Sequence, residues 1–263
     1  MSTVPVLPAA VTAALAVVCG AVFGSFLNVL IHRLPRGESP WQGRSHCPHC
    51  RRTVRWYENV PVLSFIALRG RCAGCRQRIA WRYPAVEIAA ALLALLCVRH
   101  FGPGATAGAY FLFLATLLAI ACIDWEHRII PDELSLGVLG LGVVLAATVL
   151  PLGIWRALGG AAVGAGFVWG VGRAYKAARG VEGMGFGDVK LAAMIGAFLG
   201  PVAVLLTVFG AACMGSLYGV VLLARGGHAR TMIAFGTFLA AGAALCLFFG
   251  DALTVWYAGL WRR

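Results

Sequence analysis

The stretch FLATLLAIACIDWEHRIIPDEL, residues 113–134, passes from a long apolar run into a short acidic segment and then into the next apolar run. The same alternation continues along the whole chain of 263 residues, which is 60% hydrophobic and only 12% charged. Soluble domains carry about 25% charged residues. The composition therefore predicts an all-α polytopic membrane protein.

Eight apolar runs can be counted along the chain. A membrane crossing needs about 20 residues, so we predict about eight transmembrane helices. The sixth run is short and is followed by Pro201. The alternative to eight full crossings is therefore that the sixth and seventh runs form a tight re-entrant pair. The first run lacks the basic start and the cleavage site of a signal peptide. The runs cover residues 7–31, 84–101, 105–123, 134–150, 155–174, 188–200, 202–224 and 233–259.

The net charge of +12 is concentrated in one polar insert, residues 32–83, which holds eleven Arg and two Glu. With the N-terminus outside, the inner segments carry 18 of the 22 Lys and Arg residues. Positively charged loops face the cytoplasm, so we expect the insert and both later acidic segments there, and both termini outside. Arg residues of the insert are expected to contact anionic lipids. Nucleic acid is not an expected partner.

The insert contains two C-x2-C pairs, Cys47 with Cys50 and Cys72 with Cys75, separated by 21 residues. This spacing is typical of a structural zinc site, in which two turns each supply two thiolates. A loop of about 40 residues has too small a core to fold alone, so a metal would stabilise it. Two disulfides are the alternative, which a cytoplasmic location disfavours. His46 and His49 lie beside the first pair as further candidate ligands.

Six of the ten acidic residues fall in two segments, IDWEHRIIPDEL at 123–134 and EGMGFGDVKL at 182–191. Asp124 ends the third apolar run, and Asp188 begins the sixth. An ionisable side chain at membrane depth is a candidate functional residue. Two aspartates at the cytoplasmic ends of helices can share a proton, activate a water molecule and protonate a leaving amine.

Each of these acids also has a structural explanation. Asp188 is suited to a helix N-cap, and Asp124 to an interfacial ion pair with Arg128. Asp132 follows a proline and precedes a helix, so it also resembles a cap. Charge alone therefore indicates several pairs and selects none. A cation transporter, with acids near mid-span, and a non-catalytic assembly protein are the other functional classes.

Four segments, taken in order, resemble the type IV prepilin leader peptidases, a family of bacterial membrane aspartic proteases of the G-x-G-D type. They cover nearly the whole chain. The segments are FGSFLNVLIHRLP at 23–35, the four-cysteine insert through RYPAVE at 82–87, IDWEHRIIPDEL, and EGMGFGDVKL.

The resemblance implies that Asp124 and Asp188 are the catalytic pair and that the four cysteines bind zinc. It implies cleavage of the basic leader of prepilins and pseudopilins at the cytoplasmic face of the bacterial inner membrane. N-methylation of the new N-terminus with S-adenosylmethionine would follow. The expected domains are a first transmembrane helix at 1–31, a zinc-binding domain at 32–83 and a transmembrane aspartic peptidase domain at 84–263.

Further residues are expected to support the site. Near the last apolar run, IAFGTFLA has Ala234 and Thr237 where the family usually has prolines, which predicts an altered helix geometry. The acids around Asp124 form a rim that we expect to receive the positive charge of the leader. The supporting loop comprises Gly185, Gly187 and Lys190, and the rim comprises Glu126, Asp132 and Glu133.

Overall fold

The computed structural model describes residues 8–181, 183–226 and 234–260, with side chains through residue 250 and at Ala252. The start of the predicted first span, Glu182, Ile233 and both C-terminal arginines lie outside the described residues. The division of the chain into two compact units falls after Ala119.

Within the described ranges the chain is all-helical, as predicted, with isolated bridges and no β-strand. Eight helices of 14 or more residues correspond to the eight predicted apolar runs. A further short helix lies in the polar insert. The helices are α1 Ala9–Arg33, α2 Leu63–Ala67, α3 Arg82–Phe101, α4 Ala105–His127, α5 Asp132–Thr148, α6 Ile154–Arg179, α7 Phe186–Leu199, α8 Pro201–Ala224 and α9 Phe235–Leu260.

Five of the described helices are long and apolar enough to cross a membrane: α1, α3, α4, α6 and α8. Helix α7 has only 14 residues. It ends before Gly200, whose φ of 84° is a left-handed conformation that favours glycine. Pro201 then occupies the first turn of α8, where its missing N–H leaves no helical hydrogen bond unmade. The local sequence therefore separates α7 from α8.

In the first unit, helices α1 and α3 pack closely through small residues. A Cβ added at Gly20 would lie 2.7 Å from the carbonyl oxygen of Ala90, and one at Gly24 would lie 2.7 Å from Cα of Glu87. Small residues permit such backbone contact between membrane helices. The Asn28 amide on α1 also donates to the Tyr83 carbonyl at 3.0 Å.

In the second unit, helix α7 is the most enclosed element, and every residue from Leu191 to Phe198 is buried. It packs on α6 at Gly160, where an added Cβ would lie 2.1 Å from the Gly196 carbonyl oxygen. On α5, Gly142 leaves room for the ring of Phe198. A short helix held on several sides fixes the position of the side chains at its first turn.

Candidate active site and metal centre

Asp124 lies in the last turn of α4 and is buried. Its Oδ2 atom accepts a hydrogen bond from the backbone N–H of Thr237 at 2.9 Å. The Thr237 hydroxyl lies 3.4 Å from the same oxygen and donates to the Ala121 carbonyl at 3.1 Å. Asp124 ends the predicted apolar run, but helix α4 continues for three more residues to His127, so the aspartate lies inside the helix.

Asp188 is the third residue of α7, because the helix begins at Phe186. The predicted apolar run begins at Asp188, two residues after the helix start, and the alternative explanation of Asp188 as the N-cap is wrong because the cap lies three residues earlier. Gly185 is the N-cap, and its backbone N–H donates to Asp188 Oδ2 at 3.2 Å. The carboxylate therefore satisfies a free amide at the helix start from inside the first turn. Its side chain is buried.

The two aspartates are close enough for their carboxyl groups to interact electrostatically. Ile130, in the connection between α4 and α5, packs against the first turns of α7 and α9, the two helix starts that face the aspartates. A Cβ added at Gly187 would lie 3.1 Å from Ile130 Cβ, and one at Gly236 would lie 2.9 Å from Ile130 Cδ1. The C-terminal end of α4 thus meets the N-terminal ends of α7 and α9.

This arrangement can hold one ionised and one protonated carboxyl group. Like charges held close together disfavour double ionisation, so a buried pair tends to share a proton. Each carboxylate also faces the N-terminus of a helix, Asp188 that of its own helix α7 and Asp124 that of α9, where free N–H groups and the helix dipole favour negative charge. Such a pair can act as a general base and a general acid on the same peptide bond.

The predicted supporting loop is only partly explained by contacts. A Cβ at Gly187 would crowd Ile130, whose Cβ would lie 3.1 Å away, whereas a Cβ at Gly185 would meet nothing nearer than 3.8 Å. Lys190 makes two contacts of 2.7 Å with the carboxylate of Asp132. Its ammonium also lies 5.1 Å from the ring centre of Phe186. Lys190 therefore joins the start of α7 to the start of α5.

The three acids of the expected rim are all exposed. Asp132 is the first residue of α5, and its charge is paired with Lys190. Glu126 lies 3.9 Å from the imidazole of His127. Asp132 is thus paired with Lys190, and Glu126 and Glu133 are the other two exposed carboxylates of the rim.

The four predicted cysteine ligands come together in the polar insert. The sulfur atoms of Cys47, Cys50, Cys72 and Cys75 all lie within 4.8 Å of one another. The Cys47 and Cys75 sulfurs are 3.8 Å apart. Zinc–sulfur bonds of about 2.3 Å in a tetrahedron place the sulfurs about 3.8 Å apart. All four cysteines are free thiols, which disfavours the alternative of two disulfides.

The two cysteine turns repeat the same backbone hydrogen bonds. Cys47 N–H donates to the Arg52 carbonyl at 2.9 Å, and Cys72 N–H donates to the Gln77 carbonyl at 2.9 Å. The residue after the second cysteine of each turn has positive φ, 56° at Arg51 and 60° at Arg76. Each turn is therefore closed by its own backbone hydrogen bonds, and its two sulfurs face those of the other turn.

Backbone amides also favour the thiolate form of one cysteine. The N–H groups of Cys75 and Gly74 lower the pKa of Cys72 to about 6. Beside the first turn, the backbone N–H of Arg55 and the guanidinium of Arg52 lower the pKa of Glu58. The Nη2 atom of Arg52 and the Oε1 atom of Glu58 are 2.7 Å apart. The chemistry and geometry of the four sulfurs thus fit a tetrahedral zinc ion.

Thr237 was not predicted as a site residue. The sequence identifies it only as a departure from the family's usual proline. Its backbone N–H, which a proline would lack, is the signal that indicates a hydrogen-bonding role.

Comparison with known proteins defines the class. Residues 18–101 match the bacterial peptidase A24 N-terminal domain, and residues 111–220 match the type IV leader peptidase family. The chain therefore belongs to the type IV leader peptidase family, which confirms the resemblance.

Particular relatives match over most of their length. The chain is 38% identical to the prepilin leader peptidase/N-methyltransferase of Stutzerimonas stutzeri, over 92% of each chain. It is 40% identical to the protein of that name from Burkholderia pseudomallei strain 1026b, over 93% of this chain and 87% of the relative. The Pseudomonas aeruginosa protein of that name is 37% identical, over 92% and 91%. No solved structure matches the chain.

Proposed function

We propose that this protein is a membrane aspartic endopeptidase that removes the basic leader peptide from type IV prepilins and pseudopilins. The observation that carries the proposal is the pair of buried, interacting aspartates, Asp124 and Asp188, at the meeting point of three helix ends. Membership of the type IV leader peptidase family supports the same reaction.

In the proposed reaction a water molecule adds to the carbonyl carbon of the scissile peptide bond. The ionised aspartate takes a proton from this water, and the protonated aspartate gives its proton to the carbonyl oxygen. The carbon–nitrogen bond then breaks: the leaving nitrogen takes the proton held by the first aspartate, and a hydroxyl proton of the intermediate returns to the second. The pair therefore ends each cycle in its starting protonation state.

The proposed topology has eight membrane crossings, with both termini outside and the aspartates at the cytoplasmic side of the bacterial inner membrane. The three helix ends that meet at the pair all adjoin segments that the charge distribution assigns to the cytoplasm. Five crossings would be the long helices α1, α3, α4, α6 and α8. The other three would be α9 and the shorter helices α5 and α7. Membrane lipids surround these helices.

The proposed domains follow the sequence boundaries: a first helix at 1–31, a zinc-binding domain at 32–83 and an aspartic peptidase domain at 84–263. Cys47, Cys50, Cys72 and Cys75 would hold zinc as a structural ion, because four thiolates leave no open coordination position. The ion would supply folding stability to a segment in which no cysteine pair is bridged.

We also propose that the protein N-methylates the new N-terminus with S-adenosylmethionine. The support is the name of relatives that match over about nine-tenths of the chain. Asn28 Oδ1 is buried and accepts no hydrogen bond from the described residues, but it does not mark a cavity for S-adenosylmethionine. Helices α1 and α3 are in backbone contact beside it and leave no space for such a ligand. The methyl donor would supply an electrophilic methyl group to the free amine.

The experiment that tests the function is incubation of the purified protein in lipid with a purified prepilin, followed by mass measurement of the product. Loss of the leader mass is expected without any added cofactor. A further gain of about 14 Da is expected only when S-adenosylmethionine is added. An unchanged precursor would contradict the peptidase, and a cleaved but unmethylated product would contradict the methyltransferase alone.

A further inference from the structure

We propose that Thr237 is a positioning residue for Asp124, which fixes its carboxylate and keeps it as the ionised member of the pair. Thr237 lies in the first turn of α9, 113 residues away in sequence from Asp124. The inference rests on the proposed function, because it assumes that Asp124 acts in cleavage.

Two groups of Thr237 face one carboxylate oxygen. The backbone N–H donates to Asp124 Oδ2 at 2.9 Å, and the hydroxyl oxygen lies 3.4 Å from it. The hydroxyl has one hydrogen, which it donates either to this oxygen or to the Ala121 carbonyl at 3.1 Å. One residue of α9 thus contacts both the carboxylate and the backbone of the last turns of α4, which fixes the direction of the Asp124 side chain.

The position of Thr237 in its helix makes this donation possible. Helix α9 begins at Phe235, so the N–H of Thr237 belongs to the first turn and has no partner within the helix. The residue before it is glycine, and a Cβ at Gly236 would lie 3.0 Å from Asp124 Oδ2. The sequence Gly-Thr therefore brings a free amide against the carboxylate.

These contacts assign the roles within the pair. Hydrogen bonds to a carboxylate and a helix N-terminus both favour its charged form. A helix N-terminus faces both aspartates, so the difference lies in the hydrogen bonds. Asp124 Oδ2 accepts the shorter amide bond, 2.9 Å against 3.2 Å at Asp188 Oδ2, and the Thr237 hydroxyl lies beside it as a second donor within reach. We therefore place the charge on Asp124, which takes the proton from water, and the shared proton on Asp188, which gives it to the carbonyl oxygen.

A substitution series separates the two donors of Thr237. Proline is tolerated in the first turn of a helix, so Thr237→Pro removes the N–H and the hydroxyl and preserves the helix. Thr237→Val keeps the N–H and the side-chain shape but removes the hydroxyl. Thr237→Ser keeps both donors and is the conservative control.

The measurement is kcat/KM for leader cleavage as a function of pH, with protein reconstituted in lipid. Weaker stabilisation of the charged form means that Asp124 ionises only at higher pH, so the acidic limb of the profile should move upward. We expect a shift of about one pH unit for Thr237→Pro, a smaller shift for Thr237→Val, and none for Thr237→Ser. At the alkaline end of the plateau, Thr237→Pro should remain active.

A merely structural role for Thr237 would lower kcat/KM by the same factor at every pH. That result, or a Thr237→Pro profile that superimposes on the wild type, would overturn the proposal. If Thr237→Pro does not fold, the comparison of Thr237→Val with Thr237→Ser decides in the same way. Retained cleavage by Asp124→Asn would instead contradict the proposed function, so the two failures are distinguishable.

Discussion

Each half of the four-cysteine cluster comes from one turn of four residues, Cys47–Cys50 and Cys72–Cys75, and the two turns repeat the same hydrogen bonds. The aspartate site is assembled from helix ends far apart in sequence, since Asp124 is held by a residue 113 positions away. Local backbone geometry forms the first site, whereas helix packing forms the second. Substitution of the cysteines should therefore lower the stability of the insert, and substitution of the aspartates should lower the rate of cleavage.

The largest expected effect is that of Asp124→Asn on cleavage. An amide of the same shape cannot take a proton from water, so we expect the rate of leader removal to fall by at least about 1,000-fold. Zinc content and membrane insertion should stay at the wild-type level, because the cysteine turns are built independently. Quantified cleavage of a purified prepilin, with metal analysis of the same sample, checks both halves of the comparison.

The next effect is that of the paired change Cys47→Ser and Cys50→Ser on metal content and stability. Two lost thiolates should reduce bound zinc from about one ion per chain to near zero, and the insert should become sensitive to limited proteolysis. Exposed Cys19→Ser is the matched control, because this cysteine lies outside the cluster. Wild-type protein without zinc would contradict the metal centre.

A smaller effect is expected from one methyl group at Gly236. Its Cβ would lie 2.9 Å from Ile130 Cδ1 and 3.0 Å from Asp124 Oδ2, so Gly236→Ala should displace the carboxylate and lower kcat by about 10- to 100-fold. Gly166→Ala on α6 is the control, since a Cβ there meets nothing within 4 Å. Equal activities of the two variants would show that the close approach at Gly236 is unimportant.

The smallest effect concerns the rim. Reversal of charge in Glu126→Lys plus Glu133→Lys should raise KM for a prepilin with an intact basic leader by several-fold and leave kcat nearly unchanged. Both residues are exposed, so each contributes only a screened interaction. Glu38→Lys, an exposed acid of the polar insert, is the control. An unchanged KM in the double variant would remove these residues from leader binding.

The two regions also differ in how far the sequence predicts them. Cysteine spacing alone predicts the cluster, because four ligands on two short turns have few other arrangements. The apolar runs likewise predict the long helices, whose observed bounds differ from those of the runs by a few residues. Charge patterns indicated several pairs of acids, and only the resemblance to a family selected Asp124 with Asp188.

Contacts across helices were the part that the sequence did not predict. The sequence places Lys190 in the supporting loop but does not predict its pairing with Asp132, which depends on how α5 and α7 pack. Thr237 was expected only to change helix geometry, because no local pattern links the first turn of α9 to Asp124. Such contacts depend on tertiary packing, which neither periodicity nor spacing encodes.

The central claim is that Asp124 and Asp188 act as one catalytic unit, and a double-mutant comparison tests it most directly. Single-turnover leader cleavage is measured for Asp124→Asn, for Asp188→Asn and for the double variant in the same lipid. Residues that act as a unit are strongly non-additive, so each single variant should be as inactive as the double. Cleavage at the wild-type rate by either single variant would contradict the account.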